Sequence, residues 1–480
     1  MEREQACGLL INGAWVHTED NFEVRDKYSG EVLARVSQAG EEEVRAAVTA
    51  AKAALAHPMT PQQRYEILMK LKDLLFENRR ELGELIAAEA GKPLKDALAE
   101  VGRAAETIRL SAEEALRITG ETVPVEGFPG SENRLAFTIR VPVGVVCAIS
   151  PFNYPLNLVC HKVGPALAAG NAVVLKPAST TPLSAIRLCE LTQQAGLPDG
   201  WLNVVVGPGW TVGEALLAND DINYYTFTGS YAVGKRLKER AGMRKVTLEL
   251  GSNSGTIVHK DADLELAARQ CARMAFANAG QICISVQRVL VHEQIFDAFT
   301  RELTAHTQRL VVGDPREMTT DVGPVICEQE AERIIQWVQE AVEQGAKLLT
   351  GGNRQGALVQ PTVLADVGAT MRVWCQEIFG PVVTLMPYQT IQEAIDKIND
   401  SEYGLQAGIF TNAMDVALEC AKKIKVGGII INDTSTYRAD NMPYGGVKNS
   451  GTGKEGPAYA VREMTESRIV VFNHRPPQGE

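Results

Sequence analysis

A chain of 480 residues is too long for one hydrophobic core, so two large units with smaller excursions are expected. Its formal charge of −11, with charged residues at 22%, offers no basic stripe for nucleic acid and suits a soluble metabolic enzyme. Nine scattered cysteines without a Cys-x-x-Cys pair speak against a disulfide frame or a zinc cluster and for a reducing compartment. The first residues lack a basic start followed by an apolar segment, and no apolar run approaches the ~20 residues of a membrane span, so a cytoplasmic protein is expected, with no metal, membrane or nucleic-acid partner.

Residues 8–38 alternate apolar and polar positions around Asn12-Gly13, a favoured hairpin pair, and read as short strands at one edge. Helical spacing then predicts helices over 41–56, 60–90 with Pro61 in its first turn, and 93–116. Residues 122–141 are strand-like but broken by Gly127-Phe-Pro-Gly130, as in a two-stranded arm that seeks a partner edge. From 143 to 255 short apolar strands (144–149, 171–176, 202–206, 224–227, 245–250) alternate with helices (156–169, 184–195, 212–218, 232–240). This is the rhythm of a doubly wound parallel sheet, which binds ligands where its strands end.

A second α/β region follows over 261–432, with amphipathic helices at 330–344 and 391–399 and strands at 382–386 and 427–431. A glycine-rich run, 442–451, leads to a last strand-like segment at 468–472 that could pair with the arm. The expected organisation is α/β: a doubly wound parallel-sheet cofactor domain (1–122 and 143–255), a second α/β catalytic domain (256–445) and a small β-arm for oligomerisation (123–142 and 460–480).

Two chemical anchors flank the helical stretch 261–276. Val246-Thr-Leu-Glu-Leu-Gly-Ser-Asn-Ser254 reads as a buried strand, yet holds the carboxylate of Glu249. Asn278-Ala-Gly-Gln-Ile-Cys-Ile284 places Cys283 after a glycine turn. A cysteine so placed is a candidate nucleophile and a carboxylate in an apolar setting a candidate base, although isolated cysteines are more often plain packing. Asn153, in Ser150-Pro-Phe-Asn-Tyr-Pro155, follows the first strand of the doubly wound unit, where a side-chain amide can donate to a developing oxyanion. Gly207-Pro-Gly-Trp-Thr-Val-Gly213 misses the dinucleotide fingerprint by one residue in its last gap. Phe227-Thr-Gly-Ser-Tyr-Ala-Val-Gly234 closes a strand and opens a helix, a better seat for a pyrophosphate.

With Leu-Glu-Leu-Gly and Gly-Gln-x-Cys in this order, together with Pro-Phe-Asn-x-Pro, Phe-Thr-Gly-Ser and Glu377-Ile-Phe-Gly-Pro381, the chain resembles the aldehyde dehydrogenase superfamily over essentially its full length. The resemblance implies that Cys283 adds to an aldehyde to give a thiohemiacetal and then a thioester, with Glu249 as base and Asn153 with the Cys283 backbone N–H at the oxyanion. A glutamate at 249 favours hydrolysis to the free acid over transfer to coenzyme A. It also implies an NAD or NADP site built from Ser150, Pro151, Phe152, Lys176, Ser179, Gly209, Gly213, Phe227, Thr228, Gly229, Ser230, Val233, Leu250, Gly251, Glu377 and Phe379. Ser179 stands where many NAD-dependent members have glutamate, which leaves the choice of nucleotide open.

The Tyr437-Arg-x-Asp-Asn-Met-Pro-Tyr-Gly-Gly446 word resembles the branch handling lactaldehyde, phosphonoacetaldehyde and sulfolactaldehyde. The implied substrate is a short polar or anionic aldehyde lined by Arg103, Tyr154, His161, Ile282, Ile284, Arg438 and Tyr444, with Arg103, His161 and Arg438 as an expected anion pocket. Alternatives are succinic semialdehyde, glyceraldehyde 3-phosphate without phosphorylation, a coenzyme-A-acylating enzyme, or an inactive binding protein on the same scaffold. The arm implies a homodimer or homotetramer.

Overall fold

The computed structural model describes residues 5–474; residues 1–4 of the expected cofactor unit and 475–480 of the expected arm lie outside them. Residues Val145–Ile149, Ala172–Lys176 and Tyr224–Thr228 are almost wholly buried, the pattern of parallel strands covered on both faces, and Lys245–Glu249 is buried over its last three residues. They join an eight-stranded sheet in the spatial order Gly451–Thr452, Lys245–Glu249, Tyr224–Thr228, Val145–Ile149, Ala172–Lys176, Leu202–Val204, Leu9–Ile11, Ala14–Val16. The five strands between Lys245–Glu249 and Leu202–Val204 run parallel. The chain winds outward from Val145–Ile149 in one direction and resumes on its other side at Tyr224–Thr228. The loops after these two strands diverge there, and a crevice opens between them.

The expected hairpin is present at the far edge, Leu9–Ile11 against Ala14–Val16, with Asn12 and Gly13 both left-handed. The helix expected over 60–90 is two helices, Pro61–Glu77 and Arg79–Ala90. The break is at Asn78, whose side-chain amide donates to the Leu74 carbonyl at 2.7 Å and competes with the helical ladder.

The second sheet has seven strands, ordered Lys347–Thr350, Thr362–Ala365, Val382–Tyr388, Arg288–His292, Gly255–Val258, Gln406–Phe410, Gly428–Ile431, parallel except at the first pair. The run over 246–254 is therefore not one strand. It leaves the first sheet at Glu249 and enters the second at Gly255, which puts Glu249 at the seam. The glycine-rich run also does more than lead to the arm: Gly451–Thr452 returns to the first sheet and pairs antiparallel with Leu248 and Glu249. In the arm, Arg134–Pro142 pairs with Thr465–Asn473 over nine residues and with Thr122–Val123 on its other side.

Candidate active site

The cysteine is carried by a strained turn. Helix Leu264–Phe276, capped by the Asp263 carboxylate accepting from the Leu266 N–H, ends where Asn278, Ala279 and Gly280 are all left-handed. Non-glycine residues hold that conformation at a cost of order 1–3 kcal/mol each, so surrounding contacts must impose it. A Cβ on Gly280 would lie 2.1 Å from the Gly380 carbonyl oxygen, so only glycine fits there. The turn is laced to the Asn153 loop: Asn153 Nδ2 donates to the Gln281 carbonyl at 2.8 Å, and Asn278 Nδ2 donates to the Asn153 carbonyl at 3.2 Å. One Asn153 N–H remains for another acceptor. Cys283 is half-buried, with Sγ 2.9 Å from the Tyr444 hydroxyl. Burial pushes its thiol up to about 11, opposed by the Tyr444 hydrogen bond and by the Arg438 charge.

Two buried carboxylates behave oppositely nearby. Glu249 is 3% exposed and neither of its oxygens has a hydrogen-bond partner among the described residues. Burial, and then the neighbouring Glu455, push it well above the usual carboxylate range. Glu455 accepts from Lys162 Nζ and Arg438 Nη2, each at 2.9 Å, and these cations hold it well below that range despite its burial. Lys162 also donates to the Thr226 and Thr228 hydroxyls.

The crevice of the first sheet is a cavity of about 690 Å³ walled by Asn153, Glu249 and Cys283. Fifteen of the sixteen expected nucleotide contacts wall it too: Ser150, Pro151, Phe152, Lys176, Gly209, Gly213, Phe227, Thr228, Gly229, Ser230, Val233, Leu250, Gly251, Glu377 and Phe379. Ser179 does not; its hydroxyl donates to the Gly207 carbonyl at 2.7 Å. The residues fit a nicotinamide nucleotide. Helix Tyr231–Ala241 opens on the cavity without a side-chain cap at Ser230, leaving N–H groups for a pyrophosphate. Lys176 and the Ser150 hydroxyl, which has no partner among the described residues, supply polar groups, and Ile149, Leu217 and Leu237 supply apolar wall. Burial brings Lys176 down to about 8 and Glu377, which accepts from the Ser252 N–H, up to about 7. Gly251 lies against that carboxylate: a Cβ there would meet a Glu377 oxygen at 2.2 Å.

A second cavity, about 650 Å³, opens on the other side of the same loops and is walled by Tyr154, Asn278, Ile282, Arg103, Lys92, Lys95, Arg269, Arg273, His306 and Thr436 among others. Most of its charge is paired. Lys92 contacts Glu100 and stacks on Tyr154, Lys95 meets Asp321 at 2.5 Å, and Arg269 meets Glu265 at 2.9 Å.

A profile of the aldehyde dehydrogenase family matches residues 15–470. The chain belongs to the aldehyde dehydrogenase family. It is 56% identical to a 3-sulfolactaldehyde dehydrogenase of Priestia aryabhattai over 97% of this chain and 98% of the relative. Identity with a lactaldehyde dehydrogenase of Methanococcus maripaludis is 41%, covering 97% of this chain and all of the relative. The fold matches the NADP-dependent glyceraldehyde-3-phosphate dehydrogenase of Bacillus halodurans, solved with NADP, at TM-score 0.96 and 40% identity, over 98% of this chain and all of that one. The protein is thus an NAD(P)-dependent dehydrogenase acting on aldehydes.

In this dehydrogenase the three residues of the expected anion pocket are each met by a carboxylate of the chain itself. Arg103 donates to Asp440 through Nε and Nη2 at 3.0 and 2.8 Å, His161 Nε2 lies 2.9 Å from the same carboxylate, and Arg438 Nη2 meets Glu455 while its Nε has no partner among the described residues. Arg103, Tyr154 and Ile282 wall the second cavity, whereas His161, Arg438, Ile284 and Tyr444 wall neither. Ile284 and Tyr444 pack in a small apolar cluster beneath the cysteine. Lys162, Glu455 and Arg273 were missed. For Lys162 a signal existed, since a lysine inside the wholly buried helix Asn157–Ala168 needs a buried carboxylate.

Proposed function

We propose that the enzyme oxidises a short polar aldehyde, anionic and of the 3-sulfolactaldehyde or lactaldehyde kind, to its carboxylic acid. The observation that carries this reading is that Cys283, Glu249 and Asn153 wall one cavity together with Lys176, Ser230 and Glu377. Cys283 Sγ attacks the carbonyl carbon. The oxygen that gains charge is met by the free Asn153 amide N–H and the Cys283 backbone N–H. When bound, NAD(P)+ supplies the hydride acceptor; Lys176 and Glu377 would hold its ribose hydroxyls and Ser230 its phosphates. Glu249 takes a proton from the water that cleaves the thioester on Cys283. Burial makes Glu249 a stronger base than a solvated carboxylate.

The relative at 56% identity is named for a sulfonated aldehyde. In the second cavity Arg273 is the basic side chain without an ion-pair partner among the described residues, so it replaces Arg438 and His161 as the group that would meet a sulfonate. Reduced-nicotinamide absorbance with 3-sulfolactaldehyde, lactaldehyde, succinic semialdehyde and glyceraldehyde 3-phosphate, each with NAD+ and NADP+, tests the reading. Turnover of the sulfonated or hydroxylated aldehyde at least about tenfold above the other two is expected, and no preference overturns it.

Residues 1–122 with 143–255 would form the dinucleotide unit and 256–445 the catalytic unit. The arm, whose outer residues Leu135, Ile139, Ile469, Val471 and Phe472 are exposed, would join subunits into a dimer or tetramer in the cytoplasm. Sedimentation that returns a monomer would remove the last assignment. No helix among the described residues is long and apolar enough to cross a membrane.

A further inference from the structure

Tyr444 is expected from sequence to line the substrate, yet it walls neither cavity. It is 2% exposed, and its hydroxyl lies 2.9 Å from Cys283 Sγ. Two sets of contacts hold it there. Its backbone is bridged to Glu455, N–H to carbonyl in both directions at 3.1 and 2.7 Å. The Glu455 carboxylate in turn pairs with Arg438, and the Arg438 guanidinium lies 3.7 Å from the centroid of the Tyr444 ring. Tyrosine, carboxylate and guanidinium thus close a ring of contacts around one phenol. A ring built only to fill space would be served as well by phenylalanine.

We propose that Tyr444 is a catalytic residue of this enzyme, donating its hydroxyl hydrogen bond to the Cys283 sulfur and so stabilising the thiolate, with Arg438 as the positioning residue that fixes and polarises the phenol. A hydrogen bond to the charged form of a group favours that form, and a cation against the ring makes the phenol a better donor. Burial keeps the phenol itself protonated, so it remains a donor at every working pH. The other ionisable groups facing the thiol oppose or spectate. Glu249 and Glu377 raise it, Arg438 lowers it, and Tyr154 packs against the same apolar cluster as Cys283. Burial also disfavours the thiolate, and the Tyr444 hydroxyl and the Arg438 charge are the groups that oppose it.

The inference rests on Cys283 being the nucleophile, and the experiment separates the two. Alkylation of Cys283 by iodoacetamide is followed by peptide mass spectrometry from pH 6 to 10, with and without NADP+, in the native enzyme, in Tyr444→Phe and in Arg438→Lys. Loss of one hydrogen bond to a charged sulfur is expected to slow alkylation about tenfold across this pH range, where the thiolate is the minor form. Arg438→Lys, which keeps the charge but loses the flat stack, is expected between the two. A Tyr444→Phe profile that superimposes on the native one overturns the proposal. If that variant melts below the assay temperature, the Arg438→Lys profile decides in the same way. Alkylation of Cys283 that leaves aldehyde turnover intact would instead refute the nucleophile reading.

Discussion

The two cavities share their walls yet hold polar groups in opposite states. Asn153, Gln281 and Cys283 face the first; Tyr154, Asn278 and Ile282, their sequence neighbours on the same two loops, face the second. On the first side Ser150 Oγ and both Glu249 oxygens have no partner among the described residues. On the second side nearly every charge is already matched by another. Unsatisfied buried polar atoms cost stability, and those that wall a cavity are placed to be met by a ligand or used in a reaction step. The comparison teaches that the chemistry is set in advance on one side, while selectivity on the other depends on the few groups left over.

The comparison breaks most sharply at the nucleophile. Cys283→Ala should abolish oxidation of every aldehyde, by on the order of 10⁴-fold or more, while nucleotide binding measured by fluorescence persists. Loss of both together would mean that the first cavity is not two sites in one. Glu249→Gln should lower kcat by about 10²–10⁴-fold, with an acyl-enzyme accumulating in a single turnover. Because Glu249 is raised, the base form gains population as pH rises, so native kcat should climb from pH 6 to 9 and the variant's should not. The same shift has a stability sign. A carboxylate with a raised folded pKa favours folding fully below its unfolded pKa and loses that contribution as pH rises through the folded value. The native melting temperature should therefore fall more on alkalinisation than that of Glu249→Gln.

Smaller effects sharpen the contrast. Lys176→Ala should raise the cofactor KM about tenfold with little change in kcat, the signature of lost uniform binding. Ser179→Glu should weaken NADP+ by about tenfold or more while sparing NAD+, since Ala178 and Thr180 on either side wall the cavity and the longer carboxylate would bring a like charge toward a 2′-phosphate. On the second side, Arg273→Ala should raise KM several-fold, up to about tenfold, for sulfonated aldehydes and leave lactaldehyde unchanged. Equal effects on both substrates would show that Arg273 does not read charge.

Much of this was legible before any coordinates because it is local. Alternating buried strands and helices, the Asn12-Gly13 hairpin and the glycine turn before Cys283 are short-range patterns, and each occurs where expected. Fifteen of the sixteen residues that the resemblance implied for the nucleotide wall one cavity, most of them on loops after strands, whose ends converge in a doubly wound sheet. Long-range ion pairing was not legible. Arg103 and Asp440 are 337 residues apart, and nothing in the charge of Arg103 says which carboxylate will claim it. The split at Asn78 and the passage of residues 250–254 between sheets likewise depend on tertiary context that residue preference does not encode.

The return of Gly451–Thr452 to the sheet edge has a consequence for biosynthesis. Glu249 is made long before its edge partner Gly451–Thr452, and before the Glu455 that clamps Arg438 under Tyr444. The parallel strands that line the nucleotide crevice are made first, whereas the sulfur acquires its full setting only once residues 444–455 have followed. Until then the thiol lacks its phenol.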